Sequence, residues 1–128
     1  MKNSGKDFFI STGKSFRYAF KGAYLLISTE RSIIIQISLA ILSVPAGFII
    51  GITKTEWLFQ VLCIGLVLSI EGLNTAVEKL CDFIHPDYHK KVGFIKDISA
   101  GAVIFAALTA LAVVLIIYIP YVYGLILE

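Results

Sequence analysis

The sequence predicts an all-α integral membrane protein, with an N-terminal amphipathic surface helix followed by three transmembrane helices. Three observations predict it. Hydrophobic residues make up 58% of the 128 positions, and the mean hydropathy is +0.87, well beyond the range of a soluble domain. Three apolar runs, at about 32–52, 57–80 and 98–119, each reach the ~20 residues that a helix needs to cross the hydrocarbon layer. The cations are distributed unevenly around those runs. Lys2, Lys6, Lys14, Arg17, Lys21 and Arg31 precede the first, and Lys79, Lys90, Lys91 and Lys96 lie from the end of the second to the start of the third. Only Lys54 lies between the first and the second. The positive-inside rule then places the N-terminus and the second connection in the cytoplasm, with the Lys54 turn and the C-terminus outside.

One small domain, 1–128, is all that this length supports. A net charge of +2 is too small to argue for a nucleic-acid partner. The first apolar run is too long and too far from Met1 for a cleavable signal peptide. Cys63 and Cys81 would lie about 27 Å apart on one helix, which excludes a disulfide between them.

Each element has its own signal. Over residues 4–28, Phe8, Phe9, Phe16 and Phe20 recur near helical spacing, with Lys6, Lys14, Arg17 and Lys21 interleaved. Such a helix lies in the plane of an anionic membrane surface. In the first span Pro45 frees a carbonyl, which Ser43 or a neighbouring helix could satisfy. Trp57 suits an interfacial anchor at the start of the second span. His85-Pro86 breaks the helix after it. Ser99, Ala100, Gly101 and Ala102 open the third span with side chains small enough for close helix approach. Pro120 ends or kinks that span.

Glu71, Asn74, Glu78 and Asp82 lie on a single stripe of the second span at about 100° per residue. Ionisable groups at membrane depth are costly, so they face a protein interior and mark function. Glu71 is about 21 Å beyond Trp57 along the helix, past the midplane of a ~30 Å core. Asn74 and Glu78 follow at one-turn steps, so the stripe runs from greasy depth to water. That gradient suits a reaction joining an apolar substrate to a water-soluble one. Glu78, with Glu30 at the mouth of the first span, offers the hard oxygens that suit Mg²⁺. Glu71, deeper and partly desolvated, could take a proton from an alcohol. Lys96 could bind a phosphate and Asp97 add a polar partner. These residue types point to Mg-nucleotide chemistry on a lipid hydroxyl, and they equally leave open a proton-coupled transporter using the carboxylates as a relay. Cys81, His85 and His89 share a four-residue spacing, but Pro86 interrupts the helix that would align them as a zinc site. No soluble phosphate-binding loop or protein-kinase signature is present, so any nucleotide site must be built from the ends of membrane helices.

E-G-L-N-T-A-V-E-K-L-C-D, from Glu71 to Asp82, resembles the signature E-x-x-N-[ST]-[AS]-[hydrophobic]-E-x-x-x-D of the small prokaryotic diacylglycerol kinase and undecaprenol kinase family. K-D-I-S-A-G-A-V at 96–103 resembles the second motif of that family, and S-F-R-Y-A-F-K-G followed by T-E-R-S resembles its surface helix and first-span entrance. The resemblance covers nearly the whole chain. It implies an ATP- and Mg²⁺-dependent lipid kinase in the bacterial plasma membrane, working as a homotrimer with sites at the cytoplasmic surface. Position by position, Glu71 matches the catalytic base, and Glu30 and Glu78 match the metal ligands. Asn74, Lys96 and Asp97 match residues around the phosphates, while Tyr18, Asp87, Tyr88 and His89 match other nucleotide contacts. Lys21 and Ala100 match the lipid-substrate region. One departure stands out: a basic residue that some members carry early in the surface helix aligns with Ser11, leaving Lys14 or Arg17 to substitute. The E-W-L entry to the second span, the S-A-G-A-V segment at 99–103 and the Ile119-Pro120 pair look more like the undecaprenol kinases, which implies an isoprenoid alcohol ahead of diacylglycerol.

Overall fold

A three-residue turn sets the geometry of the central hairpin. The structure is a computed structural model that describes residues 4–127, so Lys2, the first of the N-terminal cations, lies outside the described residues. Helix α2 (Arg31–Ile50) and helix α3 (Lys54–Ile84) are joined by Gly51, Ile52 and Thr53 alone. Gly51 sits at φ 75°, in the left-handed region that a residue without Cβ enters freely. The N–H groups of Gly51 and Ile52 both reach the Gly47 carbonyl, at 3.0 and 3.1 Å. This double closure stops α2 at Ile50, two residues short of the apolar run. Thr53 then starts α3 at once. Its hydroxyl accepts from the Glu56 N–H, and the Glu56 carboxylate accepts from the Thr53 N–H at 2.7 Å. This capping box satisfies backbone donors that a helix start otherwise leaves open. The second long helix therefore begins at Lys54, ahead of the apolar run that opens at Trp57.

Helix α1 (Ser4–Thr29) is separated from α2 by Glu30 alone, whose backbone is extended at φ −101°, ψ 111°. The rings of Phe8, Phe9, Phe16 and Phe20 are all exposed, as an interfacial helix requires. Its C-terminal end meets α3 where Leu26 rests on Gly72: a Cβ at Gly72 would lie 3.1 Å from Leu26 Cδ1.

Helix α3 ends at Ile84, where Pro86 forces His85 out of the helical region. Helix α4 (Lys90–Leu127) outruns the apolar segment at both ends. It starts at Lys90, a few residues after Pro86 has ended α3, and it continues through Pro120 rather than ending there. Helices α2, α3 and α4 are each long and apolar enough to cross a membrane, and α3 packs chiefly on α4.

The interior is as polar as it is apolar. Ile33, Ile52, Cys81, Ala106 and Ile117 are buried, and so are Gln60, Glu71, Asn74 and Thr75. Lipid solvates the outer apolar faces, so polar contacts and small residues are what hold membrane helices together. Near the α2–α3 turn, Gln60 ties three helices. Its Nε2 donates to the Ser43 carbonyl and hydroxyl at 3.2 and 3.1 Å, and its Oε1 accepts from the Tyr118 hydroxyl at 2.7 Å. The Tyr121 hydroxyl adds a bond to Glu56 at 2.8 Å. Ser43 does not satisfy the carbonyl of Ile41, which Pro45 deprives of its partner; its hydroxyl turns to the Ala40 carbonyl at 2.7 Å.

Candidate functional site

The polar stripe of α3 lies at the end opposite the turn. Helical spacing brings Glu71, Asn74 and Glu78 onto one face, and their exposure grades along it. Glu71 is 9% exposed and Asn74 8%, Thr75 beside them is buried, and Glu78 and Asp82 are exposed. Gln36 of α2 donates its amide N–H to the Glu71 carboxylate at 3.4 Å. Asn74 donates to Glu78 at 3.3 Å, one turn away. The Oε1 of Gln36 and the Oδ1 of Asn74 are buried with no hydrogen-bond partner in the protein. Two buried acceptors without donors, one on the amide bonded to Glu71 and one a turn further along α3, are open to a hydroxyl or water proton.

Glu30, at the junction of α1 and α2, is held from two sides. The Lys79 ammonium of α3 lies 2.9 Å from its Oε1, and the Thr29 hydroxyl donates to the same oxygen at 3.0 Å. The Lys79 hydrogen bond, then the Thr29 bond, hold the Glu30 carboxyl below the usual glutamate range against a small opposing effect of burial. A second cross-helix ion pair joins Lys96 of α4 to Asp82 of α3. Beneath the first pair, a groove of about 490 Å³ opens between α1 and α3, with Leu25, Gly72 and Ala76 lining it and Glu30 and Lys79 at its polar edge.

The other sequence-derived candidates are more scattered. Tyr18 and Lys21 are exposed on α1, and Asp97 and Ala100 are exposed on α4. Asp87, Tyr88 and His89 form the exposed connection between α3 and α4. There the His85 Nδ1 and the Asp87 carbonyl are 2.7 Å apart, and the rings of His85 and His89 stand 5.1 Å apart. Among the described residues no three His, Cys, Asp or Glu side chains gather around one point. Two carboxylates still fit a hard cation that keeps several waters and shares phosphate oxygens. Glu30 and Glu78 are such a pair by donor chemistry, and Lys79 engages the first of them.

Two polar partners escaped the reading of the sequence. Gln36 is a lone amide in an apolar run, and Lys79 stands in the sequence as one of the cations that flank the spans. An amide at membrane depth carries the same cost argument as Glu71 and could have been singled out on that ground.

A family profile described as prokaryotic diacylglycerol kinase matches residues 17–118, most of the chain. This protein belongs to that family. Membership makes it a membrane lipid kinase, and kinase chemistry carries the use of ATP with it. The family relatives include the undecaprenol kinase of Bacillus subtilis, 34% identical over 107 residues that span 84% of this chain and 87% of that protein. A diacylglycerol kinase of Haemophilus influenzae is 31% identical over 78% of this chain and 84% of its own length. A diacylglycerol kinase of Synechocystis sp. is 32% identical over 77% of this chain, which spans only 57% of that longer relative.

Proposed function

We propose that the protein transfers the γ-phosphate of ATP to the hydroxyl of a membrane isoprenoid alcohol, undecaprenol, with diacylglycerol as the second candidate acceptor. The observation that carries this reading is the buried Glu71 carboxylate, graded along α3 through buried Asn74 to exposed Glu78. The similarity to the Bacillus undecaprenol kinase supports the order of the two acceptors. The chain works as a homotrimer with its N-terminus and site on the cytoplasmic side.

Lipid alcohol enters along the groove between α1 and α3, with Lys21 and Ala100 contributing to its binding region. Glu71 accepts the hydroxyl proton as the oxygen attacks the γ-phosphorus. A lipid-oxygen–phosphorus bond forms, the bond to the β-phosphate oxygen breaks, and ADP departs. Glu30 and Glu78 would hold Mg²⁺, which when bound with nucleotide neutralises phosphate oxygens. Lys96 leaves Asp82 to offset charge on the transferring group, while Asn74 and Asp97 orient the phosphates. Tyr18, Asp87, Tyr88 and His89 complete the nucleotide contacts.

Phosphate transfer from labelled ATP in mixed micelles, with undecaprenol and diacylglycerol offered side by side, tests the assignment. Undecaprenyl phosphate as the main product supports it. Phosphatidic acid as the main product moves the protein to diacylglycerol turnover. Glu71→Gln should lower kcat by about 10²–10⁴-fold in protein that still inserts and assembles; near-normal turnover would remove Glu71 as the base.

A further inference from the structure

Lys79 sits where the proposed chemistry needs a divalent cation. Its ammonium contacts the Glu30 carboxylate at 2.9 Å, and the Thr29 hydroxyl completes the shell of that oxygen. The lysine side chain is 67% exposed, whereas that of Glu30 is 20% exposed. An ion pair this open to water contributes little to folding and is easily exchanged. Lysine also suits exchange better than arginine, because it carries a compact charge on a flexible stem. Lys79 follows Glu78 directly on α3, about 100° around the helix from it, and its stem reaches from α3 to Glu30 at the α1–α2 junction.

We propose that Lys79 is a resident counter-cation: in the nucleotide-free protein it occupies Glu30, and on nucleotide arrival it exchanges that carboxylate for a phosphate oxygen. This rests on Glu30 being a metal ligand. The exchange has two effects. Before nucleotide binds, the ammonium on Glu30 lowers the affinity of that carboxylate for free divalent metal. Afterwards the same charge is released beside a polyanion, where it contributes to nucleotide affinity. Lys96 on Asp82 repeats the arrangement on the neighbouring helix pair. Both lysines at this end are thus held by carboxylates that a metal–nucleotide complex can relieve.

The test is Mn²⁺ binding measured by electron paramagnetic resonance on the full chain in micelles, with and without a non-hydrolysable ATP analogue. Lys79→Met keeps the stem and removes the charge; Glu30→Gln is the companion variant. Lys79→Met should bind free Mn²⁺ about five- to tenfold more tightly than the parent, and bind the analogue several-fold more weakly. Opposite signs in the two measurements are what a merely structural lysine would not produce. If Glu30→Gln weakens Mn²⁺ binding while Lys79→Met leaves it unchanged, the counter-cation role fails and the ligand role of Glu30 survives. If Glu30→Gln binds Mn²⁺ like the parent, Glu30 is not a ligand and both readings fall. Lys79→Arg should retain the parent pattern in the free protein; tight Mn²⁺ binding by that variant would also overturn the proposal.

Discussion

At the residue scale, Glu71 owes its setting to one neighbour. Gln36 donates to its carboxylate from α2 and keeps its own oxygen buried and free. Gln36 is therefore a positioning residue. Gln36→Leu should lower kcat about three- to tenfold with little change in half-saturation by ATP, the size expected for one hydrogen bond. Combined with Glu71→Gln it should cost nothing further, and full additivity of the two losses would show that Gln36 acts elsewhere. Glu30 makes a different prediction. Lys79 and Thr29 depress its carboxyl, so the stabilisation from that pair is complete above the usual glutamate range and disappears as pH falls through the lowered value. A carboxyl carbon NMR titration of Glu30 should give a lower midpoint in the parent than in Lys79→Met; equal midpoints would mean that the pair does not persist.

At the scale of elements, the turn end is where the helices are fastened. A Cβ on Gly47 would approach the Trp57 ring to 2.7 Å, and that rigid ring also lies tilted against Phe48 with centroids 4.9 Å apart. Gly47→Ala should cost about 1–3 kcal/mol, seen as a lower unfolding midpoint in micelles. Tyr118→Phe strips the Gln60 oxygen of its donor and should cost about 0.6–1.7 kcal/mol while turnover persists. An unchanged midpoint in both variants would deny the turn end its fastening role. The elements were legible in the sequence because membrane spans announce themselves by length and apolarity. Their ends were less so. Apolarity locates the bilayer, whereas caps locate the helix: T-K-T-E over Thr53–Glu56 is a readable capping box that starts α3 ahead of Trp57. The extension of α4 through Pro120 had no such signal, because a membrane helix tolerates proline where neighbouring helices, hydroxyl side chains or local adjustments satisfy the freed carbonyl. Of the site, the carboxylate stripe could be read from helical spacing, but the partners Gln36 and Lys79 depend on how α2 and α1 cross α3. Spacing within one helix carries no information on that crossing.

At the scale of the whole molecule, the spans keep most of their surface uncovered: about 11% of the apolar windows of α2 and α4 is buried, against 28% for α3. Lipid alone can cover such faces, but a trimer would also do so, and light scattering in micelles should report a protein mass of three times the 14.1 kDa chain. A mass of one chain in an active preparation would show that each copy works alone. The molecule is also asymmetric from end to end. Gln60, Glu56, Tyr118 and Tyr121 bind the helices to one another near the turn, while at the far end two water-exposed ion pairs cross between them. Helices joined this way behave like a pair of tongs. Glu71 lies about 26 Å along α3 from Lys54, so a tilt of about 5° at the Gly51 turn would shift it by about 2 Å. Tilt is one of the ways a membrane helix answers a change in bilayer thickness, so a thicker or thinner membrane would be felt at the end that carries the carboxylates.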